Sequence, residues 1–403
     1  MSSWFMPKPQ TLLVLGASTY QCHLIHRARQ RGIRVVVVDA YADNPGHEIA
    51  DESHVVSTTE LNDVLRIAKD SEIDGIISPA TDVAVTTQAI VADELGLFGP
   101  RPSAARILTS KSAFFDYSRE LGFAVPQFDC LTSYAPSEVY LPPSPVCVVK
   151  PDDSSGSKGV TLVSDPARLT SAIELALHHS SSGRALVQHY EAGFQGTVEG
   201  CLLNGEIAFS FVTARHIPAP PVLATAGHTI PSGLSPDQTE RVLDDVQKLL
   251  TSLSIFDTVF DADFVWSGDE PKFLELTPRL GGNSLSQLAL YHCNLSLEDL
   301  AIDLALTGTA SITEQQPYAG TSKVVLLHSR KGGRLEYDPG RLPAAGKVEG
   351  VKRIVLDWDP GKMVSPFMNG RHRFGEIIAQ GMTTEAADAA IEQACTTLDL
   401  RIM

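Results

Sequence analysis

Two stretches of the chain gather the side-chain types that handle phosphate and a hard metal cation. Val259 to Trp266 and Lys272 to Thr277 are strand-like runs joined by Ser267-Gly268-Asp269-Glu270-Pro271, the composition of a hairpin connection. Period-2 alternation puts Asp261 and Asp263 on one face of the first run and Phe260, Phe264 and Trp266 on the other; on the second run Phe273, Glu275 and Thr277 share a face. Pairing then brings Asp263 to Glu275. Converging carboxylates repel unless a cation or a proton lies between them, and oxygen ligands of this kind suit Mg²⁺. Taken alone, the same pattern also fits a solvated sheet face. Arg279 follows at once, placed to neutralise a transferring phosphoryl group or a substrate carboxylate, and Gly281 and Gly282 permit close backbone approach to a ligand.

The second stretch is VCVVKPDDSSGSKGV, Val146 to Val160. A β-branched run delivers Lys150, and a loop of Ser154, Ser155, Gly156, Ser157 and Gly159 can turn backbone N–H groups and hydroxyls toward an anion. A flexible surface loop after a core strand would look alike. GxxxxGK[ST] is absent, so this is not a Walker A loop.

The elements that must hold these residues are legible in outline. Thr11 to Leu15, a helix with Leu24, Ile25 and Ala28 on one face, and Arg34 to Asp39 read as strand, helix, strand; Leu61, Val64, Leu65 and Ala68 then give a helix and Gly75 to Ser78 a buried strand. This alternation predicts a doubly wound parallel sheet. Pro100 and Pro102 end the unit, and one helix is expected from about Ser103 through Lys111 toward Gly122. A mixed α+β module follows from Val125 to about 315, and the tail carries a strand near Ser322 to Leu327 and an amphipathic helix near Thr384 to Leu398. The expected fold is therefore α/β and α+β, in three parts: 1–112, 113–315 and 316–403. At roughly 150 residues per domain, 403 residues allow two or three.

With 48 acidic against 32 basic side chains, a formal charge of −16 and no basic block, an extended nucleic-acid footprint is not expected. Six cysteines without a CxxC pair suggest neither a disulfide framework nor a zinc site. The opening MSSWFMPKPQ lacks the layout of a signal peptide and no apolar run is long enough to span a membrane, so a cytoplasmic protein is expected.

Lys111, Lys150-Pro151 with its loop, QHYEAGFQGTVEG at 188–200, FDADF at 260–264 and LELTPRLGG at 274–282 resemble, in order and spacing, the ATP-grasp superfamily, above all its carboxylate-amine ligase branch of L-amino-acid ligases and carbamoyl-phosphate-synthase-like relatives. YADNPGHEIAD at 41–51 is similar to that family's N-terminal domain and GRHRFGEIIAQG at 370–381 to its C-terminal lobe. The resemblance implies an N-terminal pre-ATP-grasp domain, an ATP-grasp fold and a small C-terminal lobe. It implies ATP and Mg²⁺, or Mn²⁺, as cofactors, and amide formation between a small carboxylate and an amine through an acyl phosphate. Dimers are common among look-alikes, which leaves a homodimer open.

By the same resemblance, Lys111 and Lys150 contact ATP, Ser154 to Gly159 form its lid, Gln188, His189 and Tyr190 are the strand edge that reads adenine, and Gln195 meets the ribose. Asp263 and Glu275 hold the metal, with Thr277 where the family has Asn. Arg279 stabilises the acyl phosphate. AGHTIP at 226–231, with Gly227 and His228, resembles the substrate loop, His228 facing the reacting carboxylate. Thr225 stands where the ligases carry the Glu that holds an α-amino group, which implies a carboxylate without that group or one held by another acid such as Glu199. The Gln residues at 188 and 195 replace Glu.

Rival readings are an ATP-dependent carboxylase working through carboxyphosphate and a non-catalytic nucleotide-binding regulator. An NAD-dependent oxidoreductase fails because Gly16 is followed by Ala-Ser-Thr-Tyr-Gln, without the remaining glycines of GxGxxG. His178, His179, His23 and His26 read as helix-surface groups.

Overall fold

The computed structural model describes residues 8–132, 146–313 and 316–403. The first seven residues and the boundary expected at 315 lie outside the described residues.

Four parallel strands, β1 (Thr11–Leu15), β2 (Arg34–Asp39), β3 (Glu52–Val55) and β4 (Gly75–Ile77), form a sheet in the order β3-β2-β1-β4. Its central strands are apolar on both faces because both faces are covered. Leu13, Leu15, Val36 and Val38 pack on the helices Leu61–Asp70 and Val85–Leu95. Leu12, Val14, Val35 and Val37 pack on Thr19–Gln30 and on Leu297–Thr307, a helix from much later in the chain.

The single helix expected after Ser103 is two, Pro102–Thr109 and Lys111–Glu120. Ser110 between them is extended at φ −113°, ψ 116°, and its Oγ accepts from Ala113 N. Asp152 fixes the break, its Oδ2 accepting from Ser110 Oγ and its Oδ1 from Ser112 N, both at 2.7 Å. A hydroxyl that competes for backbone donors favours a cap over a helix interior.

A second, antiparallel sheet comprises β5 (Phe128–Leu131), β6 (Cys147–Pro151), β7 (Thr161–Val163) and β8 (Ala185–His189) in the order β5-β8-β6-β7, with helix Leu169–His178 on one face. An eight-stranded antiparallel sheet runs β13-β12-β9-β10-β11-β14-β18-β16. Its strands are β9 (Phe194–Leu203), β10 (Glu206–His216), β11 (Gly227–Ile230), β12 (Thr258–Ser267), β13 (Glu270–Thr277), β14 (Thr321–Leu327), β16 (Val351–Leu356) and β18 (Gly375–Gly381). The β11–β14 ladder carries this sheet without interruption into the C-terminal part. Three short strands, β15 (Gly333–Glu336), β17 (Met363–Val364) and β19 (Arg401–Ile402), complete that part beside helix Thr384–Leu398. Among the described residues no helix is long and apolar enough to cross a membrane.

The β12–β13 hairpin departs from simple alternation. Asp261 pairs with Thr277 and Asp263 with Glu275, but Phe264 pairs with Phe273, so Leu274 is an extra residue in a bulge. The bulge turns Phe273 into the core with Phe260 and Phe264, whereas alternation had it sharing a face with Glu275. Leu274 lines the cavity described next.

Candidate active site

All these layers border one cavity of about 1580 Å³. On its floor stand Asp261, Asp263 and Glu275. Asp261 Oδ1 is buried and makes no hydrogen bond within the chain. Burial first, then repulsion from Asp263, Glu199 and Glu275 against the pull of Arg279, holds the Asp261 carboxyl well above the usual range. Glu275 is raised too, by burial and by Asp82 and Asp263. Asp263 Oδ1 accepts from Thr197 Oγ1, and its Oδ2 lies 3.2 Å from Arg215 Nη1.

Buried acids that mutually raise one another fit a cation. Among the described residues no three acidic, histidine or cysteine groups form a ready-made metal cage, so an ion here must take most of its ligands from water and phosphate, as Mg²⁺ does. Thr277 does not reach the cavity: its hydroxyl is turned to Asp261 O at 3.4 Å. Asp261 stands in its place.

Opposite the acids, β6 presents Lys150, 6 % exposed, with Nζ 5.0 Å from the centre of the Phe115 ring. Burial and the neighbouring Lys111 push its ammonium down to about 7, against the pull of Glu275. Lys111 Nζ donates to Ser154 O at 2.7 Å and so ties helix Lys111–Glu120 to the loop. Ser154, Ser155, Gly156 and Ser157 line the cavity, and Gly156 (φ 67°) and Ser157 (φ 59°) both take the left-handed backbone conformation. Gly159 does not line it. A Cβ there would stand 2.9 Å from Pro151 and from His179, so this glycine serves packing behind the loop.

Gln188, Tyr190 and Gln195 line the cavity and His189 does not, since alternation along β8 turns its ring away. Nor is β8 a sheet edge: it lies between β5 and β6, and the cavity meets the chain just past it, where Tyr190 N donates to Val146 O. Gln188 Oε1 is buried without a partner.

Arg279 is fixed from two sides. Nε donates to Asp82 Oδ1 at 2.9 Å, Nη2 pairs with the same oxygen, Nη1 donates to Leu280 O at 2.9 Å, and Asp261 Oδ2 lies 3.7 Å from Nη1. Burial opposes its charge, but Asp82, Asp261 and Glu275 together raise its pKa. Gly282 lines the cavity; Gly281 does not, and its N–H donates to Glu199 Oε1 at 2.9 Å. Glu199 therefore sits behind the wall, fully buried, its carboxyl pushed up to about 8 by burial. It offers the cavity no acid.

His228 and Thr225 line the cavity, while Gly227 is pressed against the Val324 backbone. His228 Nδ1 bonds Thr213 Oγ1 at 3.0 Å, and its buried Nε2 has no partner in the chain. Among the lining residues that escaped sequence reasoning, two bear on the acids. Asp82 follows β4 at the carboxyl end of the parallel sheet, where open sheets put ligand groups. Arg215 follows the apolar run Phe211-Val212 near the end of β10, between Ala214 and His216.

Residues 109–283 match the ATP-grasp domain family, and residues 327–403 match the L-amino acid ligase C-terminal domain 2. The chain is 27% identical, over 86% of its length and 73% of the relative's, to the uncharacterized protein y4rH of Sinorhizobium fredii. It is 22% identical, over 95% of each, to the formate-dependent phosphoribosylglycinamide formyltransferase of Vibrio vulnificus. The crystal structure of L-amino acid ligase from Bacillus licheniformis superposes with a TM-score of 0.82 at 16% identity, covering 99% of both chains. Residues 109–283 are thus an ATP-grasp domain and residues 327–403 an L-amino acid ligase C-terminal domain, on a fold shared from end to end with that ligase.

Proposed function

We propose that the chain is an ATP-dependent carboxylate-amine ligase that forms an amide through an acyl phosphate. The observation that carries this reading is that Lys150 and the acids Asp261, Asp263 and Glu275 border one cavity, close enough for the Glu275 charge to act on Lys150. A triphosphate gripped there has cations on one side and metal-binding oxygens on the other. Asp263 and Glu275 would hold Mg²⁺, which would offset charge on the transferring phosphoryl group.

In this reading Lys150, Lys111 and the amides near Gly156 and Ser157 hold the nucleotide phosphates, and Arg279, immobilised by Asp82, faces the phosphoryl group. A carboxylate oxygen attacks the γ-phosphorus, the bond to the β-phosphate oxygen breaks and ADP leaves. The amine nitrogen then attacks the acyl carbon, the carbon–oxygen bond to phosphate breaks, and the amine releases a proton. In the same reading Arg279 and the Gly282 backbone, both in the cavity lining, stabilise the oxyanion charge that develops. Closure of the 154–159 loop would keep water from the mixed anhydride.

A matrix of carboxylates against amines, scored by ADP release and product mass, tests the reaction class. Glu275→Ala should lower substrate-dependent ADP release by about 100-fold or more. Unchanged turnover in that variant rules out the metal assignment, and ADP release that requires bicarbonate alone would move the chain to the carboxylases.

A further inference from the structure

The cavity wall beside the acidic floor is built by the chain from β10 to β11. From Ile207 to Pro236 it contains neither Asp nor Glu; its titratable side chains are Arg215, His216 and His228. Arg215, about 10 % exposed, donates from Nε to Thr225 Oγ1 at 2.6 Å and holds Nη1 3.2 Å from Asp263 Oδ2. His228 is 1 % exposed, with Nε2 unpartnered in the chain. Burial, then Arg215, keeps its imidazole neutral by holding its pKa well below the ordinary value.

Several other acids that line the cavity are engaged, Asp39 among them, which accepts from Ala17 N, Tyr41 N and Asn44 Nδ2, while Asp43 lies exposed at the rim. Asp82 is taken by Arg279, Glu191 by Lys272 at 2.8 Å and Asp357 by Arg373 at 3.0 Å. Glu199 lies behind the wall on the Gly281 N–H. A substrate ammonium lodged beside Asp263 would thus meet a guanidinium, which has only donors. An oxygen meets it well.

We infer that Arg215 and His228 select a carboxylic acid carrying an oxygen next to the activated carboxyl, as hydroxyl, carbonyl or second carboxylate, in place of an ammonium. The inference rests on the ligation reading for the identity of the activated group. A hydroxyl suits both residues: its oxygen accepts from the guanidinium, and its hydrogen can go to the imidazole nitrogen. Arg215 is then a specificity residue, and Thr225 holds its head in place.

The test gives the full chain MgATP, a saturating amine and matched acids: L-lactate against L-alanine, L-malate against L-aspartate, L-2-hydroxyglutarate against L-glutamate. ADP release is one readout; the other is calorimetric binding of the acid in the presence of a non-hydrolysable ATP analogue. Hydroxy acids should be favoured by about 10- to 100-fold, the usual worth of a hydrogen bond to a charged group. Arg215→Met should erase the preference by raising KM for hydroxy acids with KM for MgATP unchanged. Thr225→Val, which keeps the wall intact, should reduce it in part.

Amino acids that bind or turn over as well as their hydroxy partners overturn the inference. So does an Arg215→Met variant in which the KM for MgATP rises in parallel, because Arg215 would then serve only Asp263. Should Arg215→Met fail to fold, the wild-type comparison and Thr225→Val still decide. Selective binding of hydroxy acids with no ADP release from any acid would sink the ligation reading and leave the selectivity standing.

Discussion

Lys150 carries its charge in a place that disfavours it. With the ammonium at about 7, Lys150 is charged below that pH and neutral above it. Nucleotide phosphates favour the charged form, so binding above pH 7 must draw a proton from solvent. MgATP affinity followed by calorimetry should fall as pH rises from about 6 to 9, with proton uptake visible as a dependence on buffer ionisation enthalpy, and Lys150→Met should flatten the profile. Glu199 gives the matching stability prediction. Its carboxyl is held at about 8 against an ordinary 4.5, so between those values the folded chain keeps a proton that the unfolded chain releases. Stability from this group is full below 4.5 and lost as pH rises through 8. Glu199→Gln stays neutral throughout, so its advantage in urea midpoint should be absent at pH 4 and largest above pH 8. A midpoint difference that does not change with pH would show that Glu199 is ionised in the fold.

Elements were legible where one physical constraint dominates. Alternation with one face buried fixes which side chains of β12 face the cavity, and so the meeting of Asp263 with Glu275 could be read from residue types. The bulge at Leu274 could not, because an extra residue in a ladder has no signature in composition, and Phe273 was misplaced with it. The break at Ser110 had a weak local signal, and its cause lies 42 residues away in Asp152. That carboxylate satisfies Ser110 and Ser112 while the Asp152 backbone carbonyl accepts from Lys111 N at 3.0 Å, so one residue sets both the helix start and the position of a cavity-lining lysine. Asp152→Ala leaves the buried Ser112 N–H unpaired. Denaturant unfolding should show a loss of about 1–3 kcal/mol, and KM for ATP should rise with it. Asp152→Asn, which retains an acceptor oxygen, should lose less on both measures.

At the scale of the molecule, what stayed unread is long-range pairing. Asp82 and Arg279 are 197 residues apart, and nothing local to either names the other. The same holds for Arg373, through which the C-terminal lobe meets the parallel sheet's first helix at the cavity rim. Its Nη1 donates to Glu376 at 2.8 Å, its Nε lies 3.0 Å from Asp357, Nη2 reaches Thr19 at 3.4 Å, and its Cζ stands 4.3 Å over the Tyr20 ring. Burial opposes the Glu376 charge, but Arg373, Ser284 and Arg353 together hold its pKa below the usual range. Arg373→Ala would leave Glu376 and Asp357 buried with Arg353 as their remaining cation, and breaking a buried pair from one side costs about 3–5 kcal/mol. Arg373→Lys keeps the charge but loses the planar fork, and it should recover only part of that loss. If the lobe is held to the rest of the chain at this point, the alanine variant should also show earlier proteolysis near residues 357–376 than elsewhere. A single cooperative transition with wild-type midpoint would mean that the continuous β11–β14–β18 sheet alone fixes the lobe, with Arg373 reserved for what enters the cavity.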